Sequence, residues 1–282
     1  MNEQRFAAPA KLNLMLRVVG RRPDGYHLLQ TVFRFLDYGD EVRIAVREDG
    51  AIARIGSVPG VPAAEDLSVK AAHLLKSATG ARFGADIELT KRLPLGAGLG
   101  GGSSDAATVL VALNQLWGTG LSRPSLQALG LKLGADVPVF VFGESALGAG
   151  IGEVLEPIAL PAAWYVVLTP LVNVATARIF SDPGLKRDSK PLKMHGFSAE
   201  RLLVDGTNDL QSIVCRHYPE VAHYLGWLQQ HGPACMTGSG AAVFASFGSE
   251  QAARAVLDQL PLTMKGFVAR GLDRHPLWEL AQ

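Results

Sequence analysis

Pro94-Leu95-Gly96-Ala97-Gly98-Leu99-Gly100-Gly101-Gly102-Ser103-Ser104 is the stretch that decides the architecture of this 282-residue chain. Five glycines fall within residues 96–102, and glycine loses more conformational freedom on folding than any other residue. Such a run is retained where the backbone must approach something closely or adopt positive φ. Upstream, Ala85–Thr90 alternates apolar and polar residues and runs into Pro94, so a strand feeds the loop. Downstream, Ala106, Val109, Leu110, Leu113, Leu116 and Trp117 recur at three- and four-residue intervals, which predicts a helix beginning near Ser103. A helix N-terminus offers unpaired N–H groups and the positive end of the helix dipole to an anion. Phosphate is the natural guest, and the two serine hydroxyls at the mouth can add hydrogen bonds or help hold magnesium. The plainer alternative is a flexible connection with Ser103 or Ser104 as the helix cap ahead of Asp105.

Two better-known phosphate loops are excluded. Gly96-x-Gly98-x-x-Gly101 fits the dinucleotide fingerprint formally, but the acidic residue that should follow roughly 20 residues later is missing from Gly118-Thr119-Gly120-Leu121-Ser122-Arg123-Pro124. A P-loop closes on Gly-Lys-Ser/Thr, and no lysine follows Gly102.

Outward from the loop, Phe6, Ala8, Ala10, Leu12, Leu14, Leu16 and Val18 occupy alternate positions, the period of a half-buried strand, with Lys11, Asn13, Met15 and Arg17 on its other face. Arg21-Arg22-Pro23-Asp24-Gly25 is a turn, Leu28–Leu36 an extended segment, and Tyr38-Gly39-Asp40 a further turn into Val42–Val46. Leu67–Leu75 and Ser125–Leu133 carry helical spacing, and Val137–Phe142 reads as a buried strand. Gly148–Glu156 is glycine-rich, with Pro157 and Pro161 behind it, and suggests a domain boundary: residues 1–155 and residues 156–282. In the second part, Tyr165–Thr169 and Ala242–Phe247 read as strands, Asp209–Cys215, Glu220–Gln230 and Gln251–Leu260 as helices, and Ser181–His195 as a polar surface loop. Interleaving without regular βα alternation favours an α+β fold.

Composition narrows the class. With 48% hydrophobic and 19% charged residues the chain is globular rather than disordered. Twenty-seven basic against 26 acidic residues leave a net charge of +1, which speaks against a nucleic-acid binder. Two cysteines without a CxxC pair suit a reducing compartment. The N-terminus shows no signal peptide, and the apolar runs are far short of the ~20 residues of a membrane span. A cytoplasmic protein without membrane contact is expected.

Together with Pro9-Ala10-Lys11-Leu12-Asn13-Leu14 and Thr237-Gly238-Ser239-Gly240-Ala241-Ala242-Val243-Phe244, the glycine loop resembles the three motifs of the GHMP kinase superfamily, in the family's order. Arg21-Arg22-Pro23-Asp24-Gly25-Tyr26-His27, then Leu28-Leu29-Gln30-Thr31, and Gly134-Ala135-Asp136-Val137-Pro138 are similar to the branch acting on a cytidine-diphosphate derivative of methylerythritol in the non-mevalonate isoprenoid pathway. The resemblance implies an N-terminal domain with a left-handed βαβ unit, a C-terminal ferredoxin-like domain, and a site between them. It implies ATP as co-substrate with Mg2+, a small-molecule cytidine diphosphate acceptor, and a monomer or weak homodimer. Pro94, Leu95, Gly96, Ala97, Gly98, Leu99, Gly100, Gly101, Gly102, Ser103 and Ser104 would then bind ATP.

By position alone Asp136 is an ordinary turn residue and Lys11 an ordinary strand lysine. The resemblance makes them the base that takes the acceptor's hydroxyl proton and the cation beside the transferring phosphoryl group. It makes Asn13 an acceptor ligand, and Tyr26 and His27 the cytosine site, with Thr176 and Phe180 across from them. Gly238, Ser239 and Gly240 also fall on the substrate side. Where relatives often carry asparagine for adenine recognition, this chain has Asp66, which accepts but does not donate. Another acceptor (mevalonate, homoserine or a sugar) and a non-catalytic nucleotide sensor remain the alternatives.

Overall fold

The computed structural model describes residues 3–191 and 207–281. Ten strands, β1 Glu3–Arg21, β2 His27–Arg47, β3 Ile52–Ile55, β4 Gly84–Thr90, β5 Ala146–Ala149, β6 Val154–Pro157, β7 Trp164–Leu168, β8 Ala234–Met236, β9 Val243–Phe247 and β10 Gly266–Leu272, form a continuous sheet. Its helices are α1 Leu67–Thr79, α2 Gly101–Leu116, α3 Arg123–Leu131, α4 Val137–Phe142, α5 Thr176–Ser181, α6 Gln211–His217, α7 Pro219–Leu228 and α8 Glu250–Leu257. The architecture is α+β, as the interleaved periodicities suggest.

β1 and β2 are a long antiparallel hairpin closed by the turn at Arg22–Tyr26. β2 also carries β4 and β5, while β3 lies parallel to β4 with α1 as the crossover. In the C-terminal half the strand order is β10-β7-β9-β8, with all neighbours antiparallel. That is the βαββαβ arrangement of a ferredoxin-like unit. β10 pairs with β2 through Gly271↔Leu36 and Leu272↔Phe35, and so welds the halves together. Residues 155 and 156, at the expected boundary, both lie within β6, which pairs with β5. The last segment crosses back, burying Leu277 and Ala281 in the N-terminal core.

Four local expectations are corrected. Val137–Phe142 is the helix α4, not a strand. A six-residue apolar run fits either, and here Pro138 in the first turn and Gly143 in the left-handed conformation (φ 77°) settle it as a helix. Tyr38-Gly39-Asp40 is not a turn, because β2 runs straight through it. Gly39 faces Pro9 at a register shift of β1, and a Cβ there would sit 2.2 Å from the Ala8 carbonyl oxygen. β1 is buried on both faces rather than one: Ala10, Leu12 and Leu14 share a core cluster with Tyr165, Val167 and Phe244, while Lys11 and Asn13 are equally enclosed opposite, and a register shift after Asn13 turns Met15 to the apolar side. Finally, α2 starts at Gly101 with Gly100 (φ 75°) as its cap, so Ser103 and Ser104 lie in the first turn and neither caps it. Of the expected surface loop Ser181–His195, Ser181 ends α5, residues 182–191 are loop, and 192–195 lie outside the described residues.

Candidate active site

The three motifs converge on the middle of β1. A Cβ on Gly100 would meet the Phe140 ring of α4 at 2.8 Å and Lys11 Cγ at 3.1 Å. One on Gly98 would meet the Thr237 carbonyl oxygen at 2.4 Å. Ala242 N–H donates to the Ala97 carbonyl (3.0 Å) and Lys11 N–H to the Leu99 carbonyl (3.0 Å), so the loop is stitched to both of the other motifs. Gly96, Gly98 and Gly100 all have positive φ, which explains why the run is glycine. Gly98→Ala is accordingly expected to cost about 1–3 kcal/mol of stability, read by denaturant titration, and to raise the KM for ATP more than that for the acceptor.

The segment entering the loop is pinned from below. Asp40 Oδ1 accepts from the N–H groups of Arg92 (2.6 Å) and Leu93 (2.8 Å), and Lys91 bridges Asp40 and Asp105. Burial pushes the Asp105 carboxyl up to about 7 against the pull of the Lys91 ammonium. Ser104 Oγ is fully buried one residue earlier and has no protein partner among the described residues.

Lys11 is only 1% exposed. Its ammonium donates to Asn13 Oδ1 (2.5 Å) and to the Gly98 carbonyl (2.9 Å), and stands 3.3 Å from Asp136 Oδ2. Asn13 is locked in turn: its Nδ2 donates to Thr31 Oγ1 (2.8 Å) and its N–H to Thr237 Oγ1 (2.9 Å). Asp136 precedes α4, with its side chain 39% exposed and turned to the open space.

That space is a cavity of about 670 Å³, within the range of small-molecule sites. Lys11, Asn13, Tyr26, His27, Ser103, Asp136, Thr176, Phe180, Gly238 and Ser239 all line it. Tyr26 is 61% exposed at the rim. The His27 ring lies 5.0 Å from that of Phe180, centre to centre. Thr176 and Ser239 share a hydrogen bond (2.7 Å) within the C-terminal half. Gly240 does not line the cavity but packs on Met236 and Val214 behind it.

Asp66 stands apart. Its Oδ1 accepts from the N–H (2.9 Å) and hydroxyl (2.5 Å) of Ser68 as the cap of α1, and Oδ2 holds Arg54 at 2.8 Å. The carboxylate is therefore engaged within the protein. Three contributors escape the sequence: Thr31 and Thr237, whose hydroxyls orient Asn13, and Arg187, whose guanidinium donates to His27 Nε2 (3.0 Å). The threonines sit in quoted motifs but carry no charge to mark them. Arg187 lies in a polar loop among other cations, where nothing in the sequence singles it out.

Residues 66–144 match the GHMP kinases N terminal domain and residues 198–266 the GHMP kinases C terminal domain. The chain is 60% identical over 276 residues to the 4-diphosphocytidyl-2-C-methyl-D-erythritol kinase of Thiobacillus denitrificans, covering 98% of each chain. It is 57% identical to that of Nitrosospira multiformis, covering 98% of this chain and 93% of the relative. A crystal structure titled 4-(cytidine 5'-diphospho)-2C-methyl-D-erythritol kinase superposes with a TM-score of 0.81 at 34% identity, covering 95% of this chain and 99% of that one. Homoserine kinase from Cytophaga hutchinsonii shares the fold at 17% identity, with a TM-score of 0.67. Among the described residues no helix is long and apolar enough to cross a membrane. The chain belongs to the GHMP kinases, ATP-dependent small-molecule kinases, and within them to the 4-diphosphocytidyl-2-C-methyl-D-erythritol kinase family.

Proposed function

We propose that this protein transfers the γ-phosphoryl group of ATP to the 2-hydroxyl of 4-diphosphocytidyl-2-C-methyl-D-erythritol, a step of non-mevalonate isoprenoid synthesis. The observation that carries this is the Lys11 ammonium, which touches the loop carbonyl of Gly98, Asn13 Oδ1 and the Asp136 carboxylate at once, on the wall of a cavity rimmed by Tyr26, His27 and Phe180. The loop 94–104 and the first N–H groups of α2 cradle the triphosphate. Asn13 orients the acceptor, and Tyr26 and Phe180 flank the cytosine ring.

Asp136 takes the proton of the acceptor hydroxyl as that oxygen bonds to the γ-phosphorus. The bond from that phosphorus to the bridging oxygen breaks, and ADP leaves with the electron pair. Lys11 stabilises the negative charge on the transferring group and the attacking oxygen. The donor chemistry fits Mg2+, because the unpartnered Ser104 hydroxyl lies beside the loop and a magnesium ion on a nucleotide needs only one or two protein oxygens. When bound, the ion would neutralise phosphate charge.

A panel of acceptors with ADP detection tests this reading. The cytidine diphosphate acceptor is expected to exceed mevalonate, homoserine and a cytidine-free methylerythritol phosphate in kcat/KM by orders of magnitude. Equal use of the cytidine-free compound would contradict the assignment. Tyr26→Ala is expected to raise the acceptor KM and leave the ATP KM unchanged. Base stacking on an aromatic is worth about 1–3 kcal/mol, and Tyr26 is too exposed to matter to the core.

A further inference from the structure

We infer that Arg187 sets which pyrimidine the site accepts, by holding His27 as the tautomer that donates to N3 of cytosine and opposes the N3–H of uracil. This rests on the acceptor reading above and names a residue outside its motifs. A guanidinium only donates hydrogen bonds. Arg187 Nε sits 3.0 Å from His27 Nε2, so Nε2 is the acceptor and a neutral ring carries its proton on Nδ1. Burial, and then the charges of Arg187 and Arg21, lower the His27 pKa and so favour the neutral ring.

The guanidinium is itself fixed. Nη1 donates to the Leu185 carbonyl (3.0 Å), and Nη2 to the carbonyls of Phe180 (3.0 Å) and Asp182 (2.8 Å). Its loop is fastened to β1 by Ser189 N–H to the Val18 carbonyl (3.0 Å) and Arg17 Nη1 to the Lys190 carbonyl (3.0 Å). Arg187 thus clamps His27 and the backbone of Phe180 from behind the slot those two rings line. Cytosine presents a lone pair at N3, and uracil presents N3–H. A ring locked with Nδ1 protonated pairs with the first and meets the second donor to donor. Arg187 does not touch the base, so it is a positioning residue.

Two readouts test this. Nitrogen-15 spectra of the histidine-labelled free protein, with His27 assigned from a His27→Asn variant, are expected to show Nδ1 protonated and Nε2 bare. In steady-state assays with cytidine and uridine forms of the acceptor, Arg187→Met is expected to lower the cytidine-to-uridine ratio of kcat/KM roughly 10-fold or more. Arg187→Lys, which keeps a donor, should retain most of the preference. A loop that has merely loosened would weaken both acceptors alike and leave the ratio unchanged.

Protonated Nε2 in the wild type, or an unchanged ratio in Arg187→Met beside a cytidine-preferring wild type, overturns this inference alone. If Arg187→Met does not fold, the wild-type tautomer and the Arg187→Lys ratio decide. A wild type that phosphorylates neither pyrimidine acceptor overturns the acceptor reading and this inference with it.

Discussion

Asp136→Asn is expected to lower kcat by ~10²–10⁴-fold, the usual worth of a positioned general base, while the protein keeps its fold. Asparagine matches aspartate in size but does not take a proton from the acceptor hydroxyl. The structural cost is small because the Asp136 side chain is 39% exposed and caps no helix N–H, and its ion partner Lys11 retains two other acceptors. Turnover by ADP release, with circular dichroism melts of both proteins, separates the two effects. A variant as fast as the wild type would remove Asp136 from the chemistry.

Lys11→Met is expected to lower kcat by ~10²–10³-fold, the loss typical of removing one stabiliser of transition-state charge. Methionine keeps most of the stem that lies against Gly100, so the change isolates the ammonium, including its place over the Phe33 ring. Unlike the aspartate change, this one also has a stability cost. The Gly98 carbonyl loses its donor and Asn13 Oδ1 keeps only the long 3.5 Å contact from Thr237 Oγ1, and an unsatisfied buried group costs about 1–3 kcal/mol. A rise in the KM for ATP is expected with it, since the Gly98 carbonyl belongs to the phosphate loop. The double variant should lose less than the product of the single losses, because both groups act on one oxygen.

Much of this site was legible because its chemistry is local in sequence. The glycine loop announces itself by composition, and the positive φ of Gly96, Gly98 and Gly100 bears out why side chains are excluded. Lys11 and Asn13 stand two residues apart on β1 and so share a face. What was not legible is long-range. The polar face of β1 looks solvent-facing in the sequence, yet it is buried because α4 and the C-terminal half close over it. Arg187 reaches His27 across 160 positions and Lys91 reaches Asp40 across 51, distances at which spacing carries no signal. α4 misread as a strand shows the other limit, since six apolar residues complete neither period and only Pro138 and Gly143 distinguish them. Asp66, too, is held by a partner the sequence does not reveal, since its carboxylate caps α1 and pairs with Arg54.

The most direct measurement is a crystal structure of the protein with a non-hydrolysable ATP analogue and the cytidine diphosphate acceptor. The expected result has the γ-phosphate at the loop of residues 96–104 and the acceptor 2-hydroxyl in line with it, within roughly 2.6–3.2 Å of an Asp136 carboxylate oxygen, with the Lys11 ammonium beside the γ-phosphate. A triphosphate seated elsewhere, or Asp136 turned away from the acceptor oxygen, would contradict the account.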